Sequence, residues 1–420
     1  MNLFPRVVIA AKFLLNSPVP PTPSRPLPAQ RPHLTASLAA LLIAGTALAL
    51  GLVWCQRLEH RYVHGLASDF SEAKLQGVAL QKAAFAEDDL LLLYGSSELV
   101  KEVPNKASEF FQDYPTGFRV FPVGKAGTTA LAVLQKLAAV GPELKGRKVA
   151  ISLSPSSYFA DDVDPGYYAG NFSDLQATEL AFSGAISHDL KRDAARRMLE
   201  YPKTLEDNWL LNFALHRLAK DSTLDRALFT AISPLGELQA WIGRTQDHFE
   251  VAARIVGLRA QLGGEKPAGR KLNWEETFKR AEVLARTMKA RAKKAPALVK
   301  RPHGSRDKAF LQTLAHADEW DDFELVLRAL QELGAKPLVL SMPVHGPDLE
   351  TVGVSAAARS AYSTRLDALA SRYQAPLVNF RSHEEDPIFF FDNLDHLGAK
   401  GWVHYNKSLD DFFHERPIKL

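Results

Sequence analysis

The chain has 420 residues, 46% of them hydrophobic and 24% charged, enough for a large core and incompatible with a disordered or fibrous chain. Its 51 Lys and Arg stand against 48 Asp and Glu, and the net charge of +3 argues against a highly charged partner. A single cysteine, Cys55, excludes an intramolecular disulfide and any Cys-based zinc site.

In chain order, residues 1–33 carry Arg6, Lys12, Arg25 and Arg31 and no acid. Seven prolines between Pro18 and Pro32 keep this stretch extended and solvated. RVVIAAKFLL, just before them, is short and amphipathic and reads as a frayed tail, with contact to the inner membrane surface as the alternative. From Leu34 to Cys55 the sequence runs 22 residues without a charge. At about 1.5 Å per residue that spans a bilayer core of roughly 30 Å, so 34–55 is expected to be a transmembrane helix. The basic residues before it and the mixed Arg57, Glu59 and Arg61 after it place the N-terminus in the cytoplasm and the bulk outside. Trp54 falls at the outer interface. A cleaved signal peptide is the competing reading, disfavoured because LVWCQRL lacks a small-residue cleavage site. Cys55 reads as a membrane-boundary residue, with acylation as the alternative.

Beyond the anchor, short apolar runs near 89–95, 118–124, 148–154, 337–343 and 376–380 read as buried parallel strands. Between them lie amphipathic stretches such as TALAVLQKLAAVG, stopped by Gly141, and AARSAYSTRLDALASRY. This alternation predicts an α/β fold, a parallel sheet with helices on both faces. The organisation is a tail over 1–33, an anchor over 34–55 and an extracytoplasmic domain over 56–420, with a helical insertion at about 173–334. The basic run from Met288 to Arg301 is expected to be a solvated helix end and loop, with contact to anionic lipid or an anionic envelope polymer as the alternative.

Ligand sites in open α/β sheets form beyond the carboxyl ends of strands. Three segments there carry chemistry. Gly95-Ser96-Ser97 follows the first strand, where glycine permits a tight turn and a serine at a helix start becomes an exposed nucleophile or merely a cap. Gly124 to Thr129 is a second small-residue turn, whose Gly127 N–H is a candidate oxyanion donor. Near the C-terminus, Asp392, Asp395 and His396 offer a general base beside carboxylates. Together they make a nucleophile, a base and an orienting acid. His345, in MPVHGP, follows a strand and reads first as a turn histidine, with pocket lining as the alternative.

GSSEL, VGKAGTT, FSDLQATELAFSG with its following basic helix, MPVHG and DHLGAKGW occur in the order seen in the DltD family, which the chain resembles over roughly residues 90–410. The resemblance implies an SGNH-hydrolase-like domain behind one N-terminal anchor in the cell membrane. It implies a protein that moves D-alanine onto an envelope polymer such as teichoic acid through a Ser-His-Asp set, with no metal or other cofactor. Matched to the family's turns, Ser97 is the nucleophile, Ser96 its alternative, Gly127 an oxyanion glycine and His396 the base. Where the family places aspartate three residues before the histidine, this chain has Asn393. Asp392 is favoured over Asp395, since a side chain adjacent to His396 in a turn points away from the ring. SPSSYF replaces the family's SPQWF-like string, leaving Ser156 as the candidate third oxyanion donor. The implied partners are a membrane-bound O-acyltransferase (DltB-like), an alanyl carrier protein across the membrane and an anionic polymer as acceptor. Nucleic acid is not expected. The alternatives are an SGNH-type O-acetyltransferase or esterase of an envelope polysaccharide, using the same residues, and a non-catalytic polymer-docking module.

Overall fold

The computed structural model describes residues 31–262, 269–291, 298–392 and 395–418. Most of the Pro-rich tail, residues 292–297 of the basic run and Asn393 therefore lie outside the described residues. The five runs singled out as strands form one parallel sheet: β1 (Leu90–Tyr94), β2 (Arg119–Val123), β3 (Lys148–Leu153), β4 (Lys336–Ser341) and β5 (Leu377–Asn379), in the order β2-β1-β3-β4-β5. Its central ladder pairs Lys148 with Lys336 through Leu153 with Ser341.

Because side chains alternate across a strand, the run LLLLY divides its residues between two cores. Leu90, Leu92 and Tyr94 join Phe121, Ile151 and Val339 on one face, covered by the helices Ala79–Ala86, Ala130–Val140, Glu319–Glu332 and Ala356–Arg372. Leu91 and Leu93 join Val120, Ala150 and Leu338 on the other, under Ala107–Asp113 and Ala399–Phe413. With both faces buried, no polar alternation is left in the strands, which explains their near-continuous apolar sequence. Helix boundaries follow local chemistry: Thr129 caps Ala130–Val140 by accepting from the Ala132 N–H at 3.3 Å, and Gly141 ends it with φ +69°.

Between β3 and β4 every described element is helical, beginning with the single 3-10 turn Pro155–Tyr158 and including the 40-residue helix Thr223–Leu262. This stretch is fastened to the sheet-covering helix Glu319–Glu332 by Arg197, which bonds Asp322 at 2.7 Å and Asp318 at 3.1 Å. Burial pushes the Asp322 carboxyl up, to about 6, against the opposing pull of Arg197.

At the N-terminus one helix, Arg31–Tyr62, has 32 residues, and its stretch from His33 is long and apolar enough to cross a membrane. It outlasts the 34–55 segment expected as the anchor, and two compact units divide within it, after Leu50. From Cys55 onward its inner face belongs to the main body: Cys55, Glu59 and Tyr62 are buried, and Glu59 bonds His248 Nδ1 at 2.7 Å. Cys55 thus fills a packed position.

Leu93 is fully buried in the sheet whereas Leu311 is 41% exposed on a helix. Leu93→Ala is expected to lower stability by about 3 kcal/mol through lost transfer energy and a residual cavity, and Leu311→Ala by less than about 0.5 kcal/mol. Thermal unfolding of the two variants checks the difference.

Candidate active site

The parallel sheet sends the carboxyl ends of β1, β2 and β3 to one edge, and the first two motif turns, with the Ser154 segment, emerge there. After β1 the chain turns through Gly95 and Ser96 into a short helix that starts at Ser97. A Cβ on Gly95 would stand 2.2 Å from Glu98 Oε1, so glycine is required by space. Beneath the turn Glu98 is buried and accepts the Ser96 N–H with both carboxylate oxygens, at 3.0 and 3.1 Å. Burial pushes its carboxyl up, partly offset by hydrogen bonds from Ser152 and the Ser96 N–H. The second turn packs directly on the first: a Cβ on Gly124 would lie 1.9 Å from the Gly95 carbonyl oxygen. Gly127 has φ +73° and faces the Tyr167 ring, while the Thr128 hydroxyl closes the turn by accepting the Lys125 N–H at 3.0 Å.

The third segment comes from the loop between Phe390 and Leu397, which form an antiparallel bridge. Phe391 N–H donates to the His396 carbonyl at 2.8 Å and Gly398 N–H to the Phe389 carbonyl at 2.8 Å. That closure folds Asp392 back over the imidazole: His396 Nδ1 and Asp392 Oδ2 lie 2.7 Å apart. On its other side, His396 Nε2 lies 2.7 Å from Ser97 Oγ. Lys101 Nζ donates to Asp392 Oδ2 at 3.1 Å. Burial pushes the Asp392 carboxyl up, but His396 and Lys101 outweigh it and hold it at about 2. For His396, burial pushes down while the Asp392 hydrogen bond and charge prevail, leaving the imidazole above its ordinary value. This is a hydroxyl, a base within hydrogen-bond reach and a charged acid orienting the base, the arrangement that activates a serine.

The carboxylate facing the histidine is therefore that of Asp392. Asp395 is buried and turned to the other side, where it accepts from the Ser154 hydroxyl, from the Ser156 hydroxyl at 2.6 Å and from the Ser156 N–H at 3.2 Å. Both donors of Ser156 are engaged by that carboxylate. A cavity of about 420 Å³ joins the parts, lined by Ser96, Ser97, Gly127, Ser156, Tyr167 and His396 among others. His345 is outside this lining, buried edge-on against Phe390 at 5.2 Å. Sequence reasoning missed Glu98, Lys101 and Tyr167. Glu98 was within reach, as an acid in the first turn of a helix behind an exposed serine; the others meet the site only through folding.

The family model described as DltD protein matches residues 67–414. Among curated proteins, Protein DltD of Bacillus subtilis is 26% identical over 390 residues, covering 90% of this chain and 95% of its own length. Protein DltD of Staphylococcus aureus is 20% identical, covering 81% and 85%, and that of Lacticaseibacillus rhamnosus 21% identical, covering 89% of each chain.

Three outcomes follow for labelling of Ser97 by a fluorophosphonate. Its rate requires neutral His396, so it should fall as pH drops through a midpoint above 6.5. Asp392→Asn should slow labelling and lower that midpoint, because burial and Lys101 then act on the imidazole unopposed by the Asp392 charge. Gly124→Ala, by displacing the Gly95 carbonyl, should slow labelling about 100-fold at near-native circular dichroism.

Proposed function

The chain belongs to the DltD family, and we propose on that footing that it is a membrane-anchored acyltransferase that moves D-alanine onto an envelope polymer, through an acyl-enzyme on Ser97. The observation that carries the reading is the hydrogen-bonded series Ser97 Oγ, His396, Asp392, joined to a cavity at the carboxyl edge of a parallel sheet. A serine on the turn after β1, with acid and histidine in one loop near the C-terminus, supports the SGNH-hydrolase-like reading.

In this mechanism Ser97 Oγ attacks the carbonyl carbon of an activated D-alanyl group as His396 Nε2 takes the hydroxyl proton. Asp392 holds the ring and stabilises the imidazolium. The amides of Ser97 and Gly127 receive the oxyanion, each at about 3 kcal/mol in comparable sites. Ser156 serves the site through Asp395, by fixing the turn after β3, more directly than as a third donor. Collapse of the tetrahedral intermediate breaks the bond to the leaving group, which takes the proton from His396 and leaves a D-alanyl ester on Ser97. An acceptor hydroxyl then attacks that ester, giving its proton to His396, and Ser97 departs with the same proton. The chain's groups supply the whole proton path.

The helix Arg31–Tyr62 is the anchor in this reading, with the N-terminus cytoplasmic and the domain from residue 56 facing outward, as the basic residues ahead of the apolar run favour. A domain so placed receives D-alanine through a membrane-bound O-acyltransferase, while the alanyl carrier protein stays on the cytoplasmic side.

Ester-linked D-alanine released from cells by mild alkali tests the assignment at matched protein levels. Ser97→Ala and His396→Ala should fall to the level of cells lacking the protein, and Ser96→Ala should retain most of it. Unchanged D-alanine with altered acetyl ester in Ser97→Ala would move the assignment to O-acetyl transfer, and no change in either would make the role non-catalytic.

A further inference from the structure

The 40-residue helix Thr223–Leu262 is apolar on two sides: Phe229, Ile232, Val251 and Ile255 pack into the body, and a second apolar strip faces away from it. A surface helix of a soluble domain turns its apolar stripe inward and its charges to water. Here charged side chains join the apolar ones in holding the helix to the body: Asp225 bonds Arg217 at 2.8 Å, Arg244 bonds Glu179, Arg254 bonds Asp69 at 2.8 Å, and buried Asp247 accepts the N–H groups of Val78 and Ala79 at 2.7 Å. The opposite face shows Leu224, Leu235, Leu238, Trp241, Ile242 and Phe249, each between 40% and 68% exposed. At about 100° per residue these side chains fall within one third of the helix circumference, and the positions among them there, Ala227, Ala231, Pro234 and Thr245, carry no charge. Along the axis, Leu224 to Phe249 extends about 38 Å. Isolated exposed apolar residues are ordinary, but a continuous charge-free strip of this length marks a surface with an occupant.

Its position identifies the occupant. The Phe249 ring stands over Gly51, 3.1 Å from where a Cβ there would sit, and next along the N-terminal helix Val53 and Trp54 are 44% and 51% exposed. The strip thus starts beside residues 51–54, at the end of the apolar run. We propose that the helix Thr223–Leu262 lies in the outer leaflet of the bilayer, its uncharged face sunk among the acyl chains and its charged face bearing the catalytic domain. Trp54 and Trp241 then sit at the headgroup level that amphipathic rings prefer. The strip offers lipid the continuous apolar contact it requires. The inference rests on reading Arg31–Tyr62 as a membrane anchor. It adds a second, non-spanning attachment that restrains the domain against the bilayer instead of leaving it to swing on one helix.

The test uses the full chain with Cys55→Ala in phosphatidylcholine–phosphatidylglycerol nanodiscs, carrying single cysteines labelled with an environment-sensitive fluorophore, with nitroxide-labelled lipid as quencher. Leu238→Cys and Ile242→Cys sample the apolar face, Glu237→Cys the charged side of the same helix, and Leu42→Cys the anchor. Fluorophosphonate labelling of Ser97 verifies that each variant is folded. The expected result is quenching at 238 and 242 comparable with 42 and several-fold greater than at 237. Quenching at 42 with 238 and 242 no greater than 237 overturns the inference and leaves the anchor standing. Loss of quenching at 42 as well overturns both. Crosslinking of 238 and 242 to a membrane protein in cells, with no quenching in nanodiscs, assigns the face to that protein and overturns the lipid reading.

Discussion

The 2.7 Å contact between Ser97 Oγ and His396 Nε2 joins residues 299 positions apart, and the rest of the fold is arranged around that closure. The serine is fixed by β1, buried on both faces, and by a turn whose backbone is gripped by Glu98 below and Gly124 beside it. The histidine is fixed by a short bridge-closed loop at the start of the helix Ala399–Phe413, which buries Trp402 and Tyr405 under the sheet. Both partners are therefore held by the core.

Electrostatics divides the three acids near the site into different tasks. Asp392 faces His396 and Lys101, stays ionised and orients the imidazole. Asp395, one residue from the histidine, instead collects the hydroxyls of Ser154 and Ser156 and fixes the wall of the cavity. Glu98 is buried beneath the turn at residues 95–97, where the cost of removing a carboxyl from water is partly offset by hydrogen bonds from Ser96 and Ser152. Removing any one of the three should disturb a different part of the geometry, although all lie within one small region.

The strands were legible because a sheet covered on both faces demands unbroken apolar runs, and LLLLY, KVAISL and their partners supply them. The turn that carries Ser96 and Ser97 was legible from the sequence, the family resemblance singled out Ser97, and the placing of Asp392 rather than Asp395 against the ring followed from the direction of a side chain next to it. The cause of that geometry was not legible: the Phe391 to His396 hydrogen bond that brings a residue four positions away back over the ring is a property of the closed loop. Nor does composition show that both donors of Ser156 are turned to Asp395. The N-terminal helix extends beyond its apolar run because Glu59 and Tyr62 continue it into the body, a packing effect that hydropathy does not report. Periodicity identified helices between β3 and β4, yet which face of Thr223–Leu262 meets the body depends on acids and bases supplied by distant segments.

The most direct test of the acyl-enzyme account is mass spectrometry of the full-length protein in proteoliposomes, incubated with a D-alanyl thioester donor and quenched in acid before digestion. The account predicts one alanyl group on the peptide containing Ser97, labile to hydroxylamine and absent from Ser97→Ala. D-alanine reaching the acceptor at the wild-type rate from Ser97→Ala protein, with no ester ever trapped on Ser97 in the wild type, would contradict it.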